Sequence, residues 1–264
     1  MHIQPAESKD IAQLASIGAA AFATEAIYGH FHPLREFYPE DFYDAIFNTL
    51  RRLMVTPGGV IMVAKVSRDE LMHGTTSLPK SSPQEKKKIV GYLTTVRYGA
   101  KESVAVWNPN TKEKQLQREL LDIEAAKSHI RCAAPDVIKE FSEAEETLIG
   151  DVPERIEAPS LAILPEFQRM GVGKRLMAWA LDRANAEQVP IFADASTKGL
   201  PLYLKGGFEI IGRVKLRART VQVPKTLQVI DESKEVSLPE LDVPIIKYGP
   251  KTGANIEKRL NYHL

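Results

Sequence analysis

Ser160 to Arg183 reads SLAILPEFQRMGVGKRLMAWALDR and holds the residues with the clearest chemical use. Leu161, Ala162, Ile163 and Leu164 form a short apolar strand ended by Pro165, which fixes φ and donates no backbone hydrogen bond. Gln168, Arg169, Met170, Gly171, Val172 and Gly173 follow as a loop with two glycines, leading to Lys174. Val172, Leu176, Trp179, Ala180 and Ala184 then recur at helical spacing. A strand that enters a helix through glycines aims several free N–H groups at one spot. Orphan amides and the helix dipole make that spot an anion site, best matched to phosphate or pyrophosphate. Elsewhere the candidates are single residues: Glu157, Tyr203, and the pair His30 and His32. Two histidines without further clustered ligands predict loop polar groups and no metal site.

The loop residues discriminate between known phosphate-binding patterns. A P-loop requires Gly-x-x-x-x-Gly-Lys-Ser/Thr, and here Gln168 and Arg175 stand at the first glycine and the hydroxyl position. A dinucleotide fingerprint requires three glycines, and here there are two. Gln/Arg-x-x-Gly-x-Gly/Ala after a Leu-Ala-Ile strand fits throughout, at Gln168, Gly171 and Gly173. With it, the chain resembles the GNAT superfamily of N-acetyltransferases at its coenzyme A loop. A second motif agrees: Tyr203, three residues, then Gly207-Phe208, within LPLYLKGGFEIIG.

The resemblance implies an α/β (α+β) fold: a mixed central sheet flanked by helices and splayed between its fourth and fifth strands, with acetyl-CoA in the gap. It implies transfer of an acetyl group to a primary amine of a small molecule or peptide by direct attack in a ternary complex. Backbone N–H groups of Gln168 to Lys174 would hold the coenzyme, and one N–H of Leu161, Ala162 or Ile163 would polarise the thioester carbonyl. Tyr203 would be the acid that protonates the departing thiolate, a phenol being a donor with pKa near 10. Its alternative is a half-buried core tyrosine. Glu157 stands where some histone-type members place a glutamate, which makes it the candidate base; its alternative is a solvated turn residue beside Pro159. His30 falls in the family's acceptor-side loop and becomes a candidate acceptor contact. A different class of function is also open: a degenerate, non-catalytic module that binds acyl-CoA as sensor or scaffold. Retention of Tyr203 beside an intact loop favours the enzyme.

The elements that must position these residues follow from periodicity. Met1 to Pro5 is a first strand, and Ser8 caps a helix carrying Ile11, Leu14, Ile17 and Ala21. Pro39 opens a second helix with Phe42, Ile46, Leu50 and Leu53 as its stripe. Val60 to Val66 and Ile89 to Tyr98 are strands, with a polar loop between. About residues 99–156, where the family has a short turn, two helical patterns occur: Leu116, Leu120, Ile123, Lys127, Ile130, and Val137, Phe141, Ala144, Leu148. These predict a helical insertion, dispensable for the catalytic core: either a solvated hairpin or a lid or partner surface at the acceptor site. Ile191 to Ala195 is a parallel strand, Phe208 to about Val221 another, and Val243 to Tyr248 the last. Residues 1–250 are read as one domain and 251–264 as a polar tail.

Composition narrows the rest. The 264 residues hold 35 Lys and Arg against 34 Asp and Glu, so bulk charge favours neither nucleic acid nor an anionic membrane. A single cysteine, Cys132, excludes an internal disulfide framework and suits a reducing compartment. No apolar run approaches the roughly 20 residues of a membrane span, and MHIQPAESKD has no signal core. The expectation is a cytoplasmic protein, with or without a nuclear pool. It is expected as monomer or homodimer, with acetyl-CoA as co-substrate, an amine acceptor and no metal.

Overall fold

The computed structural model describes residues 1–67, 88–224 and 235–251. Most of the loop between the second and third strands, and the tail beyond residue 251, lie outside the described residues. Seven strands form one sheet in the order β1-β2-β3-β4-β5-β9-β6: β1 His2–Pro5, β2 Gly59–Val66, β3 Lys88–Tyr98, β4 Arg155–Ile163, β5 Ile191–Asp194, β6 Glu209–Leu216 and β9 Leu241–Tyr248. All neighbours are antiparallel except β4 and β5. The sheet is mixed, as expected. One expected strand, Phe208 to Val221, divides instead: β6 ends at Leu216, and β7 Arg219–Gln222 leaves the sheet to pair with β8 Glu235–Leu238.

Helices cover both faces. On one, α1 Ile11–Phe22 and α3 Pro39–Val55 pack on β2 and β3 through Leu14, Ile17, Ile46, Leu50, Val63 and Tyr92, and α2 Ala26–Phe31 turns Ile27 toward β9. On the other, α7 Val172–Glu187 lays Val172, Leu176, Ala180 and Ala184 against Ala64, Val90, Ile156 and Ile191. The i, i+4 spacing read in the sequence is this buried stripe. Trp179 sits at its margin, half-buried, with its ring edge-on to Trp107 at 5.6 Å.

The segment between β3 and β4 forms three helices: α4 Lys101–Trp107, α5 Lys112–Lys127 and α6 Pro135–Ile149. They have unequal roles. α5 buries no residue; Leu116, Leu120 and Ile123 remain more than half exposed, and it rests on α3 through Arg51–Glu124 and Arg52–Asp122 pairs. α6 belongs to the core. Its Phe141 and Ile149 join Ile27, Phe192, Val214, Leu216, Val243 and Ile245, and so cover the β5-β9-β6 half of the sheet. Leu148 lies so close to β6 that a Cβ on Gly212 would come within 2.5 Å of it. Removing the whole segment would take α6 with it, and an apolar sheet face would then meet water.

Truncating Phe141, which is 5% exposed, should cost about 3–5 kcal/mol in Phe141→Ala. Leu120→Ala should stay within about 0.5 kcal/mol, because its side chain is 52% exposed. Urea unfolding of both variants, read by circular dichroism, checks the contrast.

Candidate active site

The loop after β4 is built from the strand outward. Leu164 N–H bonds the Val90 carbonyl at 2.9 Å, so β4 stays pinned to β3 up to the turn. Pro165–Phe167 makes one 3-10 turn, with Phe167 buried in the core below α7. The Gln168 side-chain amide donates to the Ile163 carbonyl at 3.1 Å, tying the loop back to the strand that feeds it. Gly171 then adopts φ 83° as the residue before α7, a left-handed conformation that glycine takes without steric cost. It supplies no side chain to cap the helix, and no acidic residue stands in the first turn. Gln168 to Gly171 and Lys174 are exposed. The result is an uncapped helix N-terminus flanked by Arg169, Lys174 and Arg175, open to solvent, with the donor set an anionic phosphate requires. These residues fit the phosphates of a coenzyme.

Beside the loop, the sheet opens. β4 and β5 pair at only two positions, Ile156↔Ile191 and Glu157↔Phe192. Beyond them β4 keeps its bonds to β3 while its other edge faces a gap. Leu164 N–H points to β3, so by the alternation of an antiparallel ladder the N–H groups of Leu161 and Ile163 point into the gap. That is where a donor to an acyl oxygen is needed. Ala162 is fully buried on the α1 side, while Leu161 and Ile163 pack toward α7.

Tyr203 lies on α8 Leu200–Gly206, which ends at Gly207 with φ 94°. It is 5% exposed, with its ring edge-on to Phe208 at 5.3 Å. The spacing Tyr203–Gly207–Phe208 thus encodes one helical turn, a left-handed stop and a ring that packs back onto the tyrosine. The hydroxyl makes no hydrogen bond to a described residue. Burial, with the charge of Asp194 added, raises its pKa and keeps it a neutral phenol.

Several polar groups that sequence reasoning did not single out converge on the same gap. Tyr28 on α2 stacks on Phe22 at 4.2 Å and has Ser160 of β4 beside its hydroxyl. Burial raises the Tyr28 pKa, and the Asp194 charge adds to the rise. Asp194, the last residue of β5, is densely surrounded by protein yet keeps an accessible edge, as a side chain lining a cleft does. Desolvation pushes its carboxyl up to about 6. Glu145 of α6 is pushed to about 8, by burial first and then by Asp194 and Glu157. Glu157 itself is half-buried and held by Arg155 at 2.7 Å. Arg155 in turn stacks over Tyr98 at 4.4 Å.

The histidines are placed elsewhere. His30 is 2% exposed, and its Nε2 is 2.9 Å from the Pro239 carbonyl, just after the β7–β8 hairpin. Arg219 bonds the His30 carbonyl. The structure sets His30 under that hairpin and not among Tyr28, Ser160 and Asp194. His32 is buried with its Nδ1 3.6 Å from Cys132 Sγ. Burial lowers the His32 pKa to about 4 and raises that of the Cys132 thiol to about 11, so both are neutral and unreactive near pH 7. Among the described residues no three His, Cys, Asp or Glu side chains are grouped to hold a metal ion.

Comparison with known proteins decides the family. The profile described as "Acetyltransferase (GNAT) domain" matches residues 97–228. The chain belongs to the GNAT acetyltransferase superfamily. A protein from Stachybotrys chartarum named "Acetyltransferase" is 24% identical over 213 residues, covering 79% of this chain and 80% of that one. A Corynebacterium glutamicum crystal structure, described as histone acetyltransferase HPA2 and related acetyltransferase, superposes with TM-score 0.54 at 14% identity. It covers 95% of this chain and 97% of its own. That likeness extends the GNAT fold over nearly the whole chain. No helix of the described residues is long and apolar enough to cross a membrane.

Two expectations follow. Gly171→Asp and Gly171→Asn share the left-handed strain, which Asp and Asn tolerate best, but only Asp puts a negative charge at the helix N-terminus. Coenzyme A affinity by calorimetry should fall about tenfold further in Gly171→Asp than in Gly171→Asn, a difference of ~1.4 kcal/mol. Separately, a carboxyl whose folded pKa lies above its unfolded value destabilises the fold as pH rises from the unfolded to the folded pKa. For Glu145 that window runs from the ordinary carboxyl value of 4.5 to about 8. Glu145→Gln should match wild type in melting temperature at pH 4 and exceed it by a few degrees at pH 8.5, as differential scanning calorimetry will report.

Proposed function

We propose that this GNAT protein is an acetyl-CoA-dependent N-acetyltransferase that acetylates a primary amine of a small molecule or peptide. The observation that carries the reading is the opening between β4 and β5 with Tyr203 beside it and the Gly171 helix terminus next to it. Acetyl-CoA, when bound, supplies an activated acyl group as a thioester. The chain's own residues do the rest. The first-turn amides of α7 hold negative charge. The Leu161 and Ile163 N–H groups are fixed donors in the gap, already oriented by the β3–β4 ladder. Tyr203, kept neutral by burial, is a proton donor at the same place. Apolar Leu161 and Ile163 exclude water from one side.

The amine is favoured over other acceptors by charge. On the side of the gap lined by α2 and α6, Asp194 is a carboxylate at pH 7, whereas Glu145, pushed to about 8, is largely neutral there and Glu157 is paired with Arg155. Such a surface attracts an ammonium group and repels a carboxylate or phosphate.

Tyr203→Phe keeps the ring against Phe208 and removes the donor. Turnover, followed as coenzyme A thiol release with an accepted amine, should drop about 10²–10⁴-fold while calorimetric coenzyme A affinity stays nearly constant. Wild-type turnover with a lowered melting point would assign Tyr203 to the core alone.

A further inference from the structure

We propose that Asp194 is the general base of the reaction, taking the proton from the acceptor's ammonium group; this rests on the amine-acetylation reading above. Strand alternation aims the residue. Ile191 and Ala193 pack toward α7, whereas Phe192 packs with α6 and Ile245, so Asp194 shares the side of Phe192. Its backbone is paired to β9 on one edge only, Asp194↔Ile245, because the β4 ladder has ended at Phe192. The carboxylate therefore stands at the mouth of the gap. The phenols of Tyr203 and Tyr28 both register its charge, one from α8 and one from α2.

Glu157 is the competing carboxylate, and it is engaged. It lies at the closed end of the gap, on the last residue pair of the β4–β5 ladder, and is bound to Arg155 at 2.7 Å. A carboxylate held in that way has a fixed direction and an oxygen already engaged by a donor. Asp194 has no cationic partner among the described residues. A carboxyl near pKa 6 is ionised at pH 7 and still basic enough to accept a proton usefully. Burial sets that value, partly offset by a backbone hydrogen bond, and titratable or charged groups lie around it on every neighbouring element. From α2 come Tyr28 and, just before the helix, Glu25, which is paired with Lys198 at 3.2 Å. From β4 come Ser160 and the Glu157–Arg155 pair, and from α6 come Glu145 and Glu146. Tyr203 faces it from α8, and Lys247 of β9 lies over the Phe192 ring at 5.8 Å.

The step balances as follows. The acceptor R–NH3+ gives one proton to Asp194, and the free amine lone pair attacks the thioester carbon. A C–N bond forms, the C–S bond breaks, and sulfur leaves with the electron pair and takes the Tyr203 proton. The second proton lost by nitrogen restores Tyr203. Asp194 releases its proton to water. The products are the amide, coenzyme A thiol and one proton.

The test uses the full chain with acetyl-CoA and three defined amines: putrescine, phenethylamine and a peptide with one lysine. Thiol release selects the best amine, and kcat/KM is then measured from pH 5 to 9. In wild type it should rise with a midpoint near pH 6 and level off. Asp194→Asn should lose about 10²–10⁴-fold together with that rising limb, and Asp194→Glu should recover part of both. Two further readouts do not depend on turnover. Coenzyme A affinity of Asp194→Asn should match wild type by calorimetry. Its melting temperature should equal wild type at pH 4 and exceed it at pH 8, since ionised Asp194 costs stability as pH rises from about 4 through about 6. An Asp194→Asn enzyme that keeps both its rate and its rising limb would overturn the assignment. So would equal melting at pH 8. If none of the amines releases thiol above the acceptor-free rate, the amine-acetylation reading itself fails, and the assignment falls with it.

Discussion

Two residue pairs make the whole β4–β5 ladder, and the gap exists because there are only two. Parallel strands that continued side by side would bond each other's N–H and C=O groups and leave nothing to offer a ligand. Here β4 runs on as a member of a four-strand antiparallel unit, and β5 continues as the partner of β9. The gap is held open because each wall is anchored on its far side. The closed end is anchored too. Arg97, 3% exposed, reaches Glu154 just before β4 at 2.6 Å and Glu187 at the end of α7 at 2.8 Å; Trp107 bonds the other Glu187 oxygen. A buried cation with two carboxylate partners is a rigid joint because losing either partner strands charge away from water.

The gap has two chemically different sides, and they come from different helices. α7 presents an apolar face below Leu161 and Ile163. Opposite, α2 and α6 bring Tyr28 and Glu145 toward Ser160 and Asp194. α6 can do this because Phe141 and Ile149 hold it against Phe192, two residues before Asp194 on β5, and Ile245, the β9 residue paired with Asp194. The segment between β3 and β4 thus contributes both core and gap lining, and the shape of the Tyr28–Asp194 side depends on its packing.

Parts of this were legible in the sequence because they are local. The 168–174 loop and the Tyr203–Gly207–Phe208 turn are set by residues within one element, so spacing alone reveals them. The burial of Val172, Leu176, Ala180 and Ala184 follows from period 3.6. Asp194, Tyr28, Ser160 and Glu145 were not legible, since they lie in four separate elements and meet only after the sheet and α6 assemble. The α5 and α6 stripes show the limit of periodicity. Leu116, Leu120 and Ile123 repeat as regularly as Val137, Phe141 and Ala144, yet only the second set has a sheet to face. The break between β6 and β7 was missed because Leu216 to Val221 keeps strand composition across the point where the chain leaves the sheet. His30 looked like a loop residue because glycine and proline flank it; a six-residue helix instead tucks it under β7 and β8.

One residue in the chain ties the opening and the sidedness together. Between the pairs Glu157↔Val96 and Ser160↔Thr94, β4 spends one residue more than β3, so a bulge falls at Ala158-Pro159. Proline suits that position because it has no N–H to give to a ladder, and the β4–β5 pairing stops two residues before it. The extra residue also reverses which face each later side chain takes. Ile156 and Ala158 pack toward α7, and after the bulge it is Leu161 and Ile163 that do so, while Ala162 packs toward α1. Without the bulge, strict alternation would send Ser160 into the apolar α7 side and Leu161 toward Tyr28. The bulge at Pro159 therefore ends the ladder and, in the same step, assigns the hydroxyl to the carboxylate side and the leucine to the apolar side.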